Sequence, residues 1–344
     1  MSRRALTLYI AGAAVIVALV VAVLLPVPYV ILGPGPTLNT LGRDASGKPL
    51  ITITGHRVFP ASGHLNMVTV TYQGGPGDEF NVFTALRGWL NHSEAVVPES
   101  ELFAPGQSQQ QVQQADQAQM TGSQQTATAA ALHQLGIGYQ TVAGVAGTEK
   151  GMPAAGVLRP GDLITAVDGQ RVTGPAQLTS LIKAHAAAAP LHLTIVRGGV
   201  TRQVQITPRL VKGRPVLGVI VQPDYRFPFS VQIRIGNIGG PSAGMMFALG
   251  VIDKLTGMNL AGGRFIAGTG EISPGGAVLP IGGIQQKMVG ARDAGATVFL
   301  APAGNCSETK GAIPAGLRVV KVSTLSGAIS ALQALKAGHT VPSC

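Results

Sequence analysis

Gly239-Gly240-Pro241-Ser242-Ala243-Gly244 stands between the β-branched run Val231-Gln232-Ile233-Arg234-Ile235 and a mostly apolar stretch, residues 243–255. The run reads as a strand, the stretch as a helix, and the glycines and proline as the turn joining them. A serine at that boundary sits where unpaired backbone N–H groups and the positive end of a helix dipole converge. Such donors can stabilise an oxyanion. Taken alone, Ser242 reads equally as a helix N-cap.

A second stretch changes the weighing: Leu279-Pro280-Ile281-Gly282-Gly283-Ile284-Gln285-Gln286-Lys287. Ile281, Ile284, Met288 and Val289 are apolar, and the acid nearest to Lys287 is Asp293. A lysine in a dry, acid-free setting has a depressed pKa. Its neutral amine can then take the proton of a serine hydroxyl, which is a poor nucleophile unaided. Ser242 and Lys287 are the candidate nucleophile and base. Other hydrolase chemistries find no support. In Gly236-Asn237-Ile238-Gly239-Gly240-Pro241 the place of a trypsin-like nucleophile is held by Ile238. No Gly-x-Ser-x-Gly elbow stands at a strand-to-helix junction. No His-Glu-x-x-His occurs, and His56, His64, His92, His133, His185, His192 and His339 are scattered without metal-ligand spacing. No metal or cofactor is expected.

Between the two stretches lies Gly268-Thr269-Gly270-Glu271-Ile272-Ser273, followed by Gly276 and Val278. In this order and spacing the three motifs resemble the proteolytic domain of the Lon protease family, over residues 233–301. The resemblance implies a Ser242–Lys287 dyad and an oxyanion site at the N–H groups of Ser242 and Ala243. It also implies an α+β domain, and a homo-oligomeric, hexameric ring. Lon proper carries an ATPase, but this sequence has no Gly-x-x-x-x-Gly-Lys-Ser/Thr loop. Substrates are therefore expected to be unfolded, flexible or peptide-like. The alternative from another class is a catalytically silent PDZ scaffold or chaperone on the same fold.

The PDZ part rests on residues 135–208. Pro153-Ala154-Ala155-Gly156, then Leu158-Arg159-Pro160-Gly161-Asp162-Leu163-Ile164 and Ala166-Val167-Asp168-Gly169, resemble the PDZ core. Gly136, Ile137, Gly138 and Tyr139 match its Gly-hydrophobic-Gly-hydrophobic carboxylate-binding loop. PDZ domains add an extended peptide as a strand beside a groove. Docking of substrate and gating of the protease both stay open as roles.

Residues 5–25 carry no charge and are almost wholly apolar, enough for one bilayer crossing of about 20 residues. Arg3 and Arg4 precede them, which puts that end in the cytoplasm and the body outside. A cleaved signal peptide is the alternative, but no small-x-small pattern follows the apolar run. Outside the membrane, the two cysteines, Cys306 and Cys344, are expected to form one disulfide. The net charge of +10 arises wholly after residue 160. Scattered as it is, it marks a solvated surface or attraction to anionic lipid, and no nucleic-acid partner is expected.

The expected organisation is α+β and multidomain: residues 1–32 a cytoplasmic start and membrane helix broken by Gly33-Pro34-Gly35-Pro36, 33–134 an α/β lead-in, 135–208 the PDZ domain, 209–344 the Lon-type domain. The lead-in strands are expected to pack on the last of these. Within the lead-in, residues 80–90 read as a short helix with Trp89 on its buried face. The Gln-rich stretch from residue 107 reads as a helix running to residue 135, rather than a linker.

Overall fold

The computed structural model describes residues 3–44, 46–186 and 189–344. The chain divides into two compact units, one of residues up to Gly136 and from Phe229 onward, the other Ile137–Pro228. The second is an insertion in the first.

In chain order the first unit begins with helix α1 (Arg3–Leu24), whose side chains are largely exposed. It ends at Leu24, before Pro26 and Pro28, not at Gly33-Pro34-Gly35-Pro36. That segment lies inside strand β1 (Tyr29–Asn39), which pairs antiparallel with β2 (His64–Gln73) and shifts register between Pro34 and Thr37. Two prolines lack the N–H a ladder needs, and the strand absorbs them as an irregularity. Helix α2 (Val82–Leu90) and strand β3 (Ala95–Pro98) follow. Helix α3 (Gln109–Gln134) starts at a capping box: Ser108 Oγ accepts from the Gln111 N–H, and the Gln111 side chain accepts from the Ser108 N–H. Its Gln-rich first half is mostly exposed. In its second half Ala127, Thr128, Ala129, Ala130, Ala131 and Leu132 are buried, so the composition shift along the helix is a shift from rim to core.

The inserted unit contains β4 (Gln140–Thr148), β5 (Leu163–Val167), helix α4 (Pro175–Ala184), β6 (Leu191–Arg197), β7 (Val200–Ile206) and β8 (Val219–Arg226). Its main sheet runs β7-β6-β5-β4-β8. Ile164, Leu178, Leu191, Leu193 and Ile195 fill its core. Asp162, nearly fully buried, accepts two hydrogen bonds from the Arg197 guanidinium, which hold its carboxyl below the usual range. The unit runs past the boundary expected at residue 208, because β8 pairs with β4 from Val219↔Thr148 to Arg226↔Gln140. A last strand that closes on the first is invisible to local patterning.

The remainder of the first unit supplies helix α5 (Gly244–Thr256), strand β9 (Phe265–Gly268), helix α6 (Ile284–Asp293), strands β10 (Val298–Pro302) and β11 (Arg318–Val322), and helix α7 (Leu325–Lys336). Its main sheet runs β11-β10-β9-β2-β1-β3. The lead-in region and the C-terminal region thus form one mixed sheet. The strand Ser230–Ile233 pairs with Ile51–Thr54, tying them a second time. Trp89, expected in the core, is 74% exposed. The face of α2 turned inward carries Gly88, packed against Ile31 and Val96.

Gln140 and Arg226 face each other in register, so the insertion leaves and returns through Cα atoms about 4.5–5.5 Å apart. Replacing residues 141–225 by an Asn-Gly turn should therefore leave the first unit folded. A cooperative thermal transition by circular dichroism is the expected result, and a melt without one would show that the insertion is needed for the fold.

Candidate active site

Lys287 lies on the first turn of α6. The sequence puts a helix there because Gly283 supplies a left-handed cap, φ +68, after the turn Pro280-Ile281-Gly282. A side chain at Gly283 would also meet Val70 of β2 at 2.8 Å. Ile284, Met288 and Ala291 anchor α6 on Val68, Ala267, Phe299 and Ala301 of the sheet. The turn itself is clamped by Asn305, whose side chain accepts from the Ile281 N–H at 2.9 Å and donates to the Ile281 carbonyl at 2.8 Å. Asn305 precedes Cys306, which is bonded to Cys344. The disulfide fastens the last residue beside the clamp that holds the lysine turn.

Ser242 occupies the turn before α5. The N-cap of that helix is Ala243, not Ser242, and it makes no side-chain capping bond. The serine side chain is thus free of capping duty. Its carbonyl accepts from Gly270 N–H at 2.8 Å and from Thr269 Oγ1 at 2.9 Å, which ties the turn to the end of β9. On the other side α3 holds it. Ser123 Oγ donates to the Pro241 carbonyl at 2.9 Å, and the Gly240 N–H donates to the Asp116 carbonyl at 3.1 Å. A side chain at Gly239 would collide with the Asp116 Cβ, so the turn needs glycine to lie against α3.

These supports bring Lys287 Nζ to 2.9 Å from Ser242 Oγ and 3.4 Å from Thr269 Oγ1. Lys287 is 3% exposed and Thr269 fully buried. Among the described residues no carboxylate is within ion-pair distance of Lys287, and burial lowers its pKa to about 8. The Thr269 hydroxyl has one proton, and that proton goes to the Ser242 carbonyl. Toward Lys287 it can only accept. The amine directs an N–H at Thr269, and once it is neutral its lone pair is left to accept from Ser242 Oγ. The N–H groups of Ser242 and Ala243 have no hydrogen-bond acceptor among the described residues.

A cleft of about 580 Å³ opens on Ser242, Ala243 and Lys287. Pro36, Met67, Val70, Met120 and Ile238 give it apolar wall, and Asp116 is its one carboxylate. Burial pushes the Asp116 carboxyl above its usual range. Burial and, secondarily, the Asp116 charge push the Tyr72 phenol up. Asp116 and Tyr72 carry no motif, and only the packing of α3 and β2 brings them to the dyad. Thr269 stood in a quoted motif, but its role depends on where its proton points.

Gly136, at the end of the first unit's leading segment, and Ile137, Gly138 and Tyr139 of the inserted unit do not lead into an open edge. The strand after them, β4, is flanked by β8 along its length and by β5 at Ala143 and Gly144. Where both sides are paired, at Ala143 and Gly144, the strand cannot take a peptide. The open edge belongs to β8, which pairs only with β4. It is entered through Leu217 and Gly218 (φ +70), and α4 packs nearby. Gly138-Tyr139 precedes β4 and Leu217-Gly218 precedes β8, and only the pairing of the strands distinguishes them. Tyr139 instead packs edge-on against Tyr225 and Phe227, at 5.8 and 5.7 Å.

Residues 234–333 match the Lon protease (S16) C-terminal proteolytic domain, and residues 144–197 match a PDZ domain. Lon protease 1 of Bacillus subtilis is 38% identical over 89 residues, which are 25% of this chain and 11% of that protein. The Lon protease of Methylocella silvestris is 39% identical over 128 residues, 35% of this chain and 16% of that one. The chain thus spans a small part of the length of the curated relatives it matches. A solved PDZ domain of the SdrC-like protein Lin2157 from Listeria innocua is 26% identical, covering 23% of this chain and 92% of its own, with a TM-score of 0.22.

The Gly283 cap gives a prediction independent of chemistry. Gly283→Ala should destabilise the protein by about 1–2 kcal/mol, the cost of a left-handed non-glycine residue, plus the clash with Val70. Urea unfolding measures it, and an unchanged midpoint would remove Gly283 from the positioning of Lys287.

Proposed function

We propose that this chain, which joins a Lon-type proteolytic domain to a PDZ domain, is an ATP-independent serine endopeptidase held at a membrane by α1. The observation that carries the reading is the 2.9 Å approach of a buried lysine amine, without a carboxylate partner, to Ser242 Oγ.

Neutral Lys287 takes the Oγ proton as Ser242 attacks the carbonyl carbon of the scissile peptide. The oxyanion that forms is met by the N–H groups of Ser242 and Ala243. The Lys287 ammonium then gives its proton to the departing amine, and an acyl-Ser242 ester remains. Water attacks that ester, again with Lys287 taking the proton, and frees the acid. Thr269 acts through the Lys287 amine, whose lone pair it directs. The apolar walls of the cleft keep the amine dry and accept an extended, unfolded chain. In the PDZ unit the open edge of β8 adds a substrate strand and raises its local concentration. Helix α1 is long and apolar enough to cross a membrane, and Arg3 and Arg4 keep its start on the cytoplasmic side. The silent-scaffold reading predicts that Ser242 does not react with a fluorophosphonate probe. Labelling of the wild type, lost in Ser242→Ala, decides against it.

Ser242→Ala should abolish hydrolysis of an unfolded protein while leaving the thermal midpoint within a few degrees. Lys287→Arg should be as inactive as Lys287→Ala, each losing at least about 10²–10⁴-fold in kcat/KM, because arginine cannot act as a base. Wild-type turnover in the arginine variant would show that only the charge matters.

The pH profile follows from the lowered pKa. The base form is the neutral amine, so kcat/KM should rise with pH through about 8 and level off above it. A flat profile between pH 6 and 9 would contradict a lysine base, the range being roughly the window in which that pKa titrates.

Thr269→Val should lower kcat with little change in KM, and Thr269→Ser should restore it. Equal losses in both variants would make the residue a packing element only.

A further inference from the structure

Helix α2 is built inside out for a soluble surface helix. Its inward face carries Gly88, with Ile31 and Val96 pressed against it. Its outward face carries Phe83, Leu86, Trp89 and Leu90, which are 43%, 45%, 74% and 80% exposed. Outside α1, Trp89 and Leu90 are the most exposed large apolar side chains among the described residues. Residues 83, 86 and 90 recur at helical spacing, so the apolar atoms form a stripe rather than isolated exposures. A contiguous stripe of this kind marks a contact surface.

The stripe stands beside the end of α1. The strand Pro26–Val27, directly after α1, pairs with Phe80–Asn81, directly before α2, as Pro26↔Asn81 and Val27↔Phe80. Helices α1 and α2 also touch. If α1 crosses the bilayer, its last residues lie at the hydrocarbon boundary. The headgroup layer beyond that boundary is only about 5–8 Å deep on each side. Tryptophan is enriched at that level, where one edge of the indole is apolar and its N–H is wet. Arg87, 63% exposed on the same helix, stands 3.8 Å from Glu94 through one guanidinium nitrogen, and its remaining N–H groups can reach outward to lipid phosphate. The helix carries no acid.

We propose that α2 lies in the membrane interface, with Phe83, Leu86, Trp89 and Leu90 among the lipid headgroups and upper acyl chains, as a second contact that fixes the first unit against the bilayer. The proposal rests on the reading of α1 as a membrane anchor. It commits to lipid as the occupant because the stripe continues from the end of α1, through the pairing of Pro26–Val27 with Phe80–Asn81.

Trp89 is the only tryptophan in the chain, so its fluorescence reports this site alone. The full chain is reconstituted into vesicles of mixed phosphatidylcholine and phosphatidylglycerol and floated through a density gradient after an alkaline wash. Emission is then read with lipids brominated near the carbonyl end of the acyl chain, and with acrylamide as aqueous quencher. The expected result is a floating chain with blue-shifted emission, most of it lost to the bromolipid and little to acrylamide. Phe83→Ser with Leu90→Ser should still float but lose most of the bromolipid quenching. A chain that floats while Trp89 stays open to acrylamide and blind to bromolipid overturns the proposal and spares the anchor. Blue-shifted emission without bromolipid quenching means that protein, such as a second copy, covers the stripe, and overturns it too. A chain that does not float removes the anchor reading and the proposal together.

Discussion

A buried lysine amine 2.9 Å from a serine hydroxyl sets the terms for the rest of the first unit. Water or a carboxylate next to Lys287 would hold its proton in place. The fold answers with α6 laid on the sheet, a glycine cap that permits close contact with Val70, and an Asn305 clamp on the turn before it. The serine turn is held with equal care, by Thr269 and Gly270 on one side and by α3 on the other. Neither side chain is positioned by its own helix alone. Each is fixed by elements far away in sequence, and the contact between them inherits that dependence.

The pairing of Ser242 with Lys287 is legible because the neighbourhood of each is local. A strand, a glycine-rich turn and an apolar helix announce Ser242. An acid-free apolar run announces Lys287. The cleft around them was less legible, since Asp116, Tyr72 and Met120 come from α3 and β2 and acquire meaning only when the sheet is assembled. Gly33-Pro34-Gly35-Pro36 misled because glycine and proline break helices and also irregularise strands; pairing with β2 decided the outcome. Trp89 misled for a different reason. Burial was inferred from apolarity, yet Gly88 shows which face of α2 is turned inward.

The inserted unit shows the limit of short motifs in another way. Its core is legible in Leu158-Arg159-Pro160-Gly161-Asp162-Leu163-Ile164 and Ala166-Val167-Asp168-Gly169. Its edge was not. Whether a strand can accept a peptide depends on what already pairs with it, and β4 and β8 differ only in that respect. The long pairing of β4 with β8 also makes entry and exit of the insertion a single two-stranded stem. Its base is packed by Tyr139, Tyr225 and Phe227.

The division of the main sheet has a temporal consequence. Strands β1, β2 and β3 precede the insertion, and β9, β10 and β11 follow it. During synthesis the first half must wait, with β2 exposing the edge that β9 will occupy, until the whole insertion has been made. Pairings of such long separation form slowly, because loop closure precedes any gain from contact. The insertion, with its own core, can fold in the interval and shorten the effective loop to the width of its stem. Ser242 and Lys287 are both made after the insertion, so the two side chains meet only once β9 and α6 have packed on strands synthesised before it.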